Sequence, residues 1–126
     1  MEFHFYTVTS IKQSKTARRP VIVLRGYWLA EAGFDIGKLV MAKFTMGEIV
    51  FNPCGLDTEG IEDLICQPDK SKGMLLRVRL DRSKPRLDLS GIWLLDFGFS
   101  IGTRMVAVAG TGVIKVKILD ADMFTL

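Results

Sequence analysis

Ten cations carry the chemistry that this sequence offers most visibly. Lys12, Lys15, Arg18 and Arg19 fall within the run Lys12-Gln13-Ser14-Lys15-Thr16-Ala17-Arg18-Arg19, interspersed with side chains that donate and accept hydrogen bonds. The run has no apolar periodicity, so it reads as a loop. Ammonium and guanidinium groups set among hydroxyls and an amide suit phosphate oxygens, and such contacts make binding fall steeply with salt. A plain solvated loop has the same composition. The second series is Arg77, Arg79, Arg82, Lys84 and Arg86, and Arg25 stands apart from both. Arg77 and Arg79 alternate with Leu76, Val78 and Leu80, which on a strand turns both guanidiniums to one exposed face. The alternative there is the ordinary polar face of an antiparallel sheet.

Other chemistries find less support. Cleaving RNA without a metal needs a base for the 2′-hydroxyl and an acid for the leaving oxygen. The single histidine, His4, sits between Phe3 and Phe5 and reads as structural rather than catalytic. Metal-assisted cleavage calls for clustered carboxylates. The one such cluster, Asp57, Glu59, Glu62 and Asp63, lies with Ile61, Leu64 and Ile65 in the pattern of a short acidic amphipathic helix. Cys54 and Cys66 stand twelve positions apart with one histidine in the chain, a spacing that fits no zinc template, and two thiols make no disulfide framework. No glycine-rich nucleotide cradle is present. The expectation is no metal and no cofactor, with enzymatic activity left open. Trp28 and Trp93 could stack bases, but each lies beside a leucine near a helix end and reads as core.

Charge sharpens the picture. The net charge is only +3, yet residues 1–50 hold seven Lys/Arg against four Asp/Glu and residues 74–126 hold eight against five, while residues 51–73 hold two against five. Two basic units joined by an acidic linker point to a polyanionic partner. With 126 residues, 48% hydrophobic and 25% charged, the composition is that of one globular domain with a core. No stretch is apolar enough to span a bilayer, and the first residues lack a signal-peptide pattern, so a cytoplasmic location is expected.

The elements that must position these cations come twice. At an offset of 65, residues 20–51 align without a gap to residues 85–116, and twelve of the 32 positions are identical. Each copy reads as a strand (20–25, 85–90) followed by a short helix (27–32, 92–97) that stops at Gly33 or Gly98. Those glycines suit the left-handed position after a helix, and Phe34 and Phe99 then fall where a Schellman cap closes an apolar contact on Leu29 and Leu94. A β-hairpin follows (38–45 with 48–52; 103–109 with 113–119), and an alternating strand precedes each copy, Phe3–Thr9 and Met74–Leu80. A unit of about 50 residues buries too little surface to fold alone. Two units, 1–52 and 74–120 around a linker at 53–73, can complete one interior as a single compact domain.

The repeated string, proline, aliphatic, leucine, then Gly-x-Trp-Leu, Gly-Phe and Ile-Gly, as in Pro20, Ile22, Leu24, Gly26, Trp28, Leu29, Gly33, Phe34, Ile36 and Gly37, resembles that of the SymE toxin family. These are small bacterial proteins related to the AbrB/SpoVT and MazE swapped-hairpin folds. The resemblance covers about the first 50 residues and, a second time, residues 74–119. It implies a mainly β, AbrB-like swapped-hairpin barrel formed here as a single-chain pseudo-dimer. One short helix belongs to each repeat and one to the linker. It also implies a cytoplasmic, toxin-like protein that binds RNA or DNA through basic loops and strands. Members are described as endoribonucleases, which gives a second reading, and a protein-interaction module using the acidic linker and the tail Met123-Phe124-Thr125-Leu126 is a third. The expected state is a monomer with an internal twofold, further dimerisation being left open. The second copy departs from the first where Ser90 replaces Arg25, Asp88 replaces Val23 and Val108 replaces Lys43.

Overall fold

The computed structural model describes residues 2–12, 14–53 and 73–119. Among these residues ten strands and two short helical segments follow one another as β1 (Glu2–Thr7), β2 (Thr9–Lys12), β3 (Arg18–Arg25), α1 (Trp28–Glu31), β4 (Leu39–Thr45), β5 (Glu48–Pro53), β6 (Met74–Arg77), β7 (Arg79–Asp81), β8 (Lys84–Ser90), a 3-10 helix (Ile92–Phe97), β9 (Arg104–Gly110) and β10 (Val113–Ile118). They form a six-stranded sheet in the order β1-β9-β10-β5-β4-β6 and a four-stranded sheet in the order β2-β3-β8-β7. The protein is mainly β, as expected. The segment expected to form a linker helix, both cysteines and the apolar tail lie outside the described residues.

The expected closed barrel does not form, and the reason lies at two residues. Val8 and Val78 interrupt what the alternating pattern reads as continuous strands, and each is buried. The Val8 N–H donates to the Thr103 carbonyl and its carbonyl accepts from Gly102 N–H, both at 2.9 Å. Val78 does the same with Lys38 at 2.9 Å and Gly37 at 2.8 Å. The backbone groups that would have continued a ladder are therefore spent on the Ile-Gly loops, and the chain bends from one sheet into the other.

The pairing scheme exchanges edge strands between the two parts of the chain. β1 lies antiparallel to β9 and β6 to β4, while β3 pairs with β8 and β5 with β10. In these last two ladders Val23 faces Asp88 and Val50 faces Lys115, pairs whose members stand 65 positions apart in the sequence.

Alternation along each strand aims the even positions of β3 and β4 and their cross-strand partners inward. Ile22, Leu24, Leu87 and Leu89 from the small sheet meet Val40, Ala42, Ile49, Phe51, Ala107, Ile114 and Val116 from the large one. Among the described residues no polar or charged side chain is buried in this core.

The helical segments are short because their ends are fixed early. Gly33 and Gly98 take φ of +98° and +90°. The Phe34 N–H then reaches back to the Leu29 carbonyl at 2.8 Å and the Gly33 N–H to that of Ala30 at 3.0 Å, and Phe99 and Gly98 repeat the pattern on Leu94 and Leu95 at 3.1 Å each. These are Schellman caps, and Leu29, Phe34, Leu94 and Phe99 are all fully buried, each worth about 1.5–3 kcal/mol of apolar transfer. The second segment adopts 3-10 rather than α geometry.

The Gly-x-Trp spacing also has a steric cause. Gly26 sits at φ +144°, and a Cβ there would lie 2.6 Å from Cδ1 of the Trp28 indole. Gly91 and Trp93 stand in the same relation.

Candidate nucleic-acid interface

The four-stranded sheet carries most of the cations. Its inner face is apolar, so the odd positions of β3 and their partners on β2, β8 and β7 point away from the core. Arg19, Arg25, Arg79 and Arg86 all belong to this outer face, with Arg25 opposite Arg86 and Arg86 opposite Arg79. The β2–β3 connection closes one end of the sheet and the β7–β8 turn the other. Seven strand steps from Arg18 to Arg25 put these ends about 23 Å apart.

At the first end, Lys12 faces Arg18 across the ladder and Ile11 faces Arg19. Ser14 organises the loop: its hydroxyl accepts from the Ala17 N–H at 3.2 Å, and its own N–H donates to the Ala17 carbonyl at 3.2 Å. Arg18 Nε donates to the Ser10 hydroxyl at 2.7 Å, which steadies the guanidinium while leaving it exposed. Arg19 is half-buried, and its Nε has no hydrogen-bond partner among the described residues. None of Lys12, Lys15, Arg18 and Arg19 forms an ion pair among the described residues. The four share one end of the sheet, without an ion pair among the described residues, although strand alternation turns Lys12 and Arg18 to one face of the hairpin and Arg19 to the other.

The centre and far end of the sheet differ from expectation. Asp81 accepts from Arg86 Nη1 at 3.1 Å and lies 3.3 Å from Arg25 Nε. Asp88 takes Arg86 Nη2 at 3.3 Å and Arg79 Nη1 at 3.8 Å. The hydrogen bond from Arg86, with the charges of Arg25 and Arg82 behind it, holds the Asp81 carboxyl below its ordinary pKa despite some desolvation, so it stays ionised and neutralises its neighbours at neutral pH. The expected continuous positive surface is thus broken across its middle. Arg77 and Arg79 do not share a face either. The bend at Val78 leaves Arg77 in the large sheet opposite Leu39, donating to the Gly37 carbonyl at 2.8 Å, while Arg79 belongs to the small one. Only the Arg86–Asp88 pair lies at i, i+2 on one strand; the pairings of Asp81 with Arg25 and Arg86, and of Asp88 with Arg79, depend on strand register.

Arg82 lies in the β7–β8 turn, where it and Ser83 both take positive φ, 51° and 68°, and Lys84 opens β8 directly after it. The Lys84 ammonium lies 5.6 Å from the centre of the Tyr27 ring, and Tyr27 is 57% exposed. Tyr27 drew no attention in the sequence because it stands between Gly26 and the more conspicuous Trp28.

The tryptophans serve packing, as read from the sequence. Trp28 is buried, donates its indole N–H to the Arg25 carbonyl at 3.2 Å, and stacks on His4 with ring centres 4.2 Å apart. His4 Nε2 also lies 3.1 Å from Glu2 Oε2. Trp93 meets Phe44 edge-on at 5.0 Å. The described residues contain no group of three or more His, Cys, Asp or Glu that could hold a metal ion, and no helix among them is long and apolar enough to cross a membrane.

No curated protein and no solved structure matches this chain. Residues 3–53, the stretch that carries β1 to β5 and the cations of the β2–β3 hairpin, match the family model described as Toxin SymE, type I toxin-antitoxin system.

Proposed function

We propose that this protein is a SymE-like toxin-family protein that binds nucleic acid, gripping phosphates with Lys12, Lys15, Arg18 and Arg19. The observation that carries the reading is the gathering of these four cations on one hairpin, without a carboxylate partner among the described residues, inside the segment that matches the toxin model. Arg82 and Lys84 form a second, weaker grip at the opposite end. Arg25, Arg79 and Arg86 contribute less, because each is drawn to Asp81 or Asp88.

In this reading the chain is a tandem duplication folded as a swapped-hairpin pseudo-dimer, one compact domain of two SymE-like repeats. The exchange of β1 and β6 between the two parts supports it, as do the ladders in which residues 65 apart face each other. Binding is favoured over cleavage by the state of His4, whose ring lies flat on Trp28.

Titration of labelled single-stranded RNA and of duplex DNA at several salt concentrations, followed by a search for cleavage products, tests the proposal. Salt-sensitive binding without products is expected. Products that vanish on His4→Ala would establish an endoribonuclease instead, and no binding at low salt would leave a protein-interaction module.

A further inference from the structure

We infer that Tyr27 and Lys84 form a site for one unpaired nucleotide, the ring taking the base and the ammonium its phosphate. The inference rests on the nucleic-acid reading above and specifies which form of nucleic acid the protein prefers.

Three exposed aromatic rings are found among the described residues, Phe3, Phe5 and Tyr27. Phe3 and Phe5 stand opposite Val108 and Val106 on the outer face of the large sheet, in apolar surroundings. Tyr27 is different, because it follows Arg25 at the end of β3 and has a cation poised over its ring. At 5.6 Å the ammonium is within reach of the ring's quadrupole but beyond close contact, so it can swing away without breaking a tight interaction.

A nucleotide matches both features. Its base offers a flat face to an aromatic ring whatever its identity, and its phosphate offers an anion to the displaced ammonium. The surroundings favour the anion as well: Arg25, Arg79, Arg82, Lys84 and Arg86 outnumber Asp81 and Asp88 by three. The tight turn holds Arg82 beside Lys84 in a backbone conformation that non-glycine residues seldom adopt.

A paired base cannot use this site, since both of its faces are covered by stacked neighbours. The site therefore selects single strands. With the β2–β3 cations about 23 Å away along the sheet, one strand can reach both ends.

The test measures binding of fluorescent oligouridylate, oligothymidylate and a duplex DNA to the full chain and to Tyr27→Ala, Tyr27→Phe and the triple variant Lys15→Ala, Arg18→Ala, Arg19→Ala. Tyr27→Ala is expected to weaken single-strand binding about tenfold or more while leaving duplex binding unchanged, and Tyr27→Phe to restore it. Loss on the RNA probe, the DNA probe or both supports the site and identifies its source of bases. Equal losses on single strands and duplex, or no loss on either, overturn it. If the triple variant loses binding and Tyr27→Ala does not, this site falls while the nucleic-acid reading stands. If the unsubstituted protein binds no probe at low salt, both fall.

Discussion

Removing Lys15, Arg18 and Arg19 together, as alanines, should change how binding responds to salt more than it changes the fold. Each phosphate neutralised by a cation contributes about 0.9 to the slope of log affinity against log salt for a duplex and about 0.7 for a single strand. Three lost contacts should therefore flatten the slope by about 2.7 or 2.1. Between 50 and 200 mM salt, the unsubstituted protein should lose about 40-fold more duplex affinity than the variant, or about 18-fold more single-strand affinity. Stability should change little, since Lys15 and Arg18 are exposed, although Arg18 gives up its bond to Ser10 and the half-buried stem of Arg19 its packing. Anisotropy titrations at four salt concentrations, with thermal unfolding of the same samples, read both quantities. An unchanged slope in a folded variant would refute the assignment of phosphate contacts to the β2–β3 hairpin, however much or little affinity was lost.

Replacing Asp81 and Asp88 with asparagine should free Arg25, Arg79 and Arg86, raising affinity and steepening the salt slope; a weaker binder would show that the acids order the surface rather than neutralise it. Because the Asp81 carboxyl is held below its ordinary pKa, its stabilising effect is present above the ordinary carboxylate range and lost as pH falls through the folded value. Thermal unfolding of Asp81→Asn should therefore depend less on pH at the acid end than that of the unsubstituted protein, and parallel profiles would count against the network. Gly26→Ala should cost about 2–4 kcal/mol in denaturant unfolding, from left-handed backbone strain and the clash with the Trp28 indole; a neutral substitution would mean the indole does not lie over that glycine. Phe34→Ala should cost about 3–5 kcal/mol, since the ring is fully buried beside the helix cap, and a loss below about 1 kcal/mol would place it outside the core.

The local structure was legible in the sequence wherever one residue type is forced by backbone geometry. Gly33 and Gly98 announced the left-handed helix ends, and Phe34 and Phe99 the caps that close on Leu29 and Leu94, because few residues other than glycine tolerate that φ. The hairpins could be read from alternation and the glycines at their turns, and Trp28 as core from its place beside the cap. Among the candidate site residues, the β2–β3 cations could be grouped because they are contiguous and the hairpin keeps them so.

Tertiary structure alone decided the rest. Alternation cannot reveal that Val8 and Val78 end one ladder and begin another, since the hydrogen bonds that bend the chain there come from loops far along the sequence. Two sheets rather than a closed barrel, and the separation of Arg77 from Arg79, both follow from that bend. Nor does a list of charges say which are free: Asp81 and Asp88 reach Arg25, Arg79 and Arg86 only once β3, β8 and β7 lie side by side. Composition fixes how many charges there are, and strand register fixes which of them face a partner and which face the solvent, where another molecule can meet them.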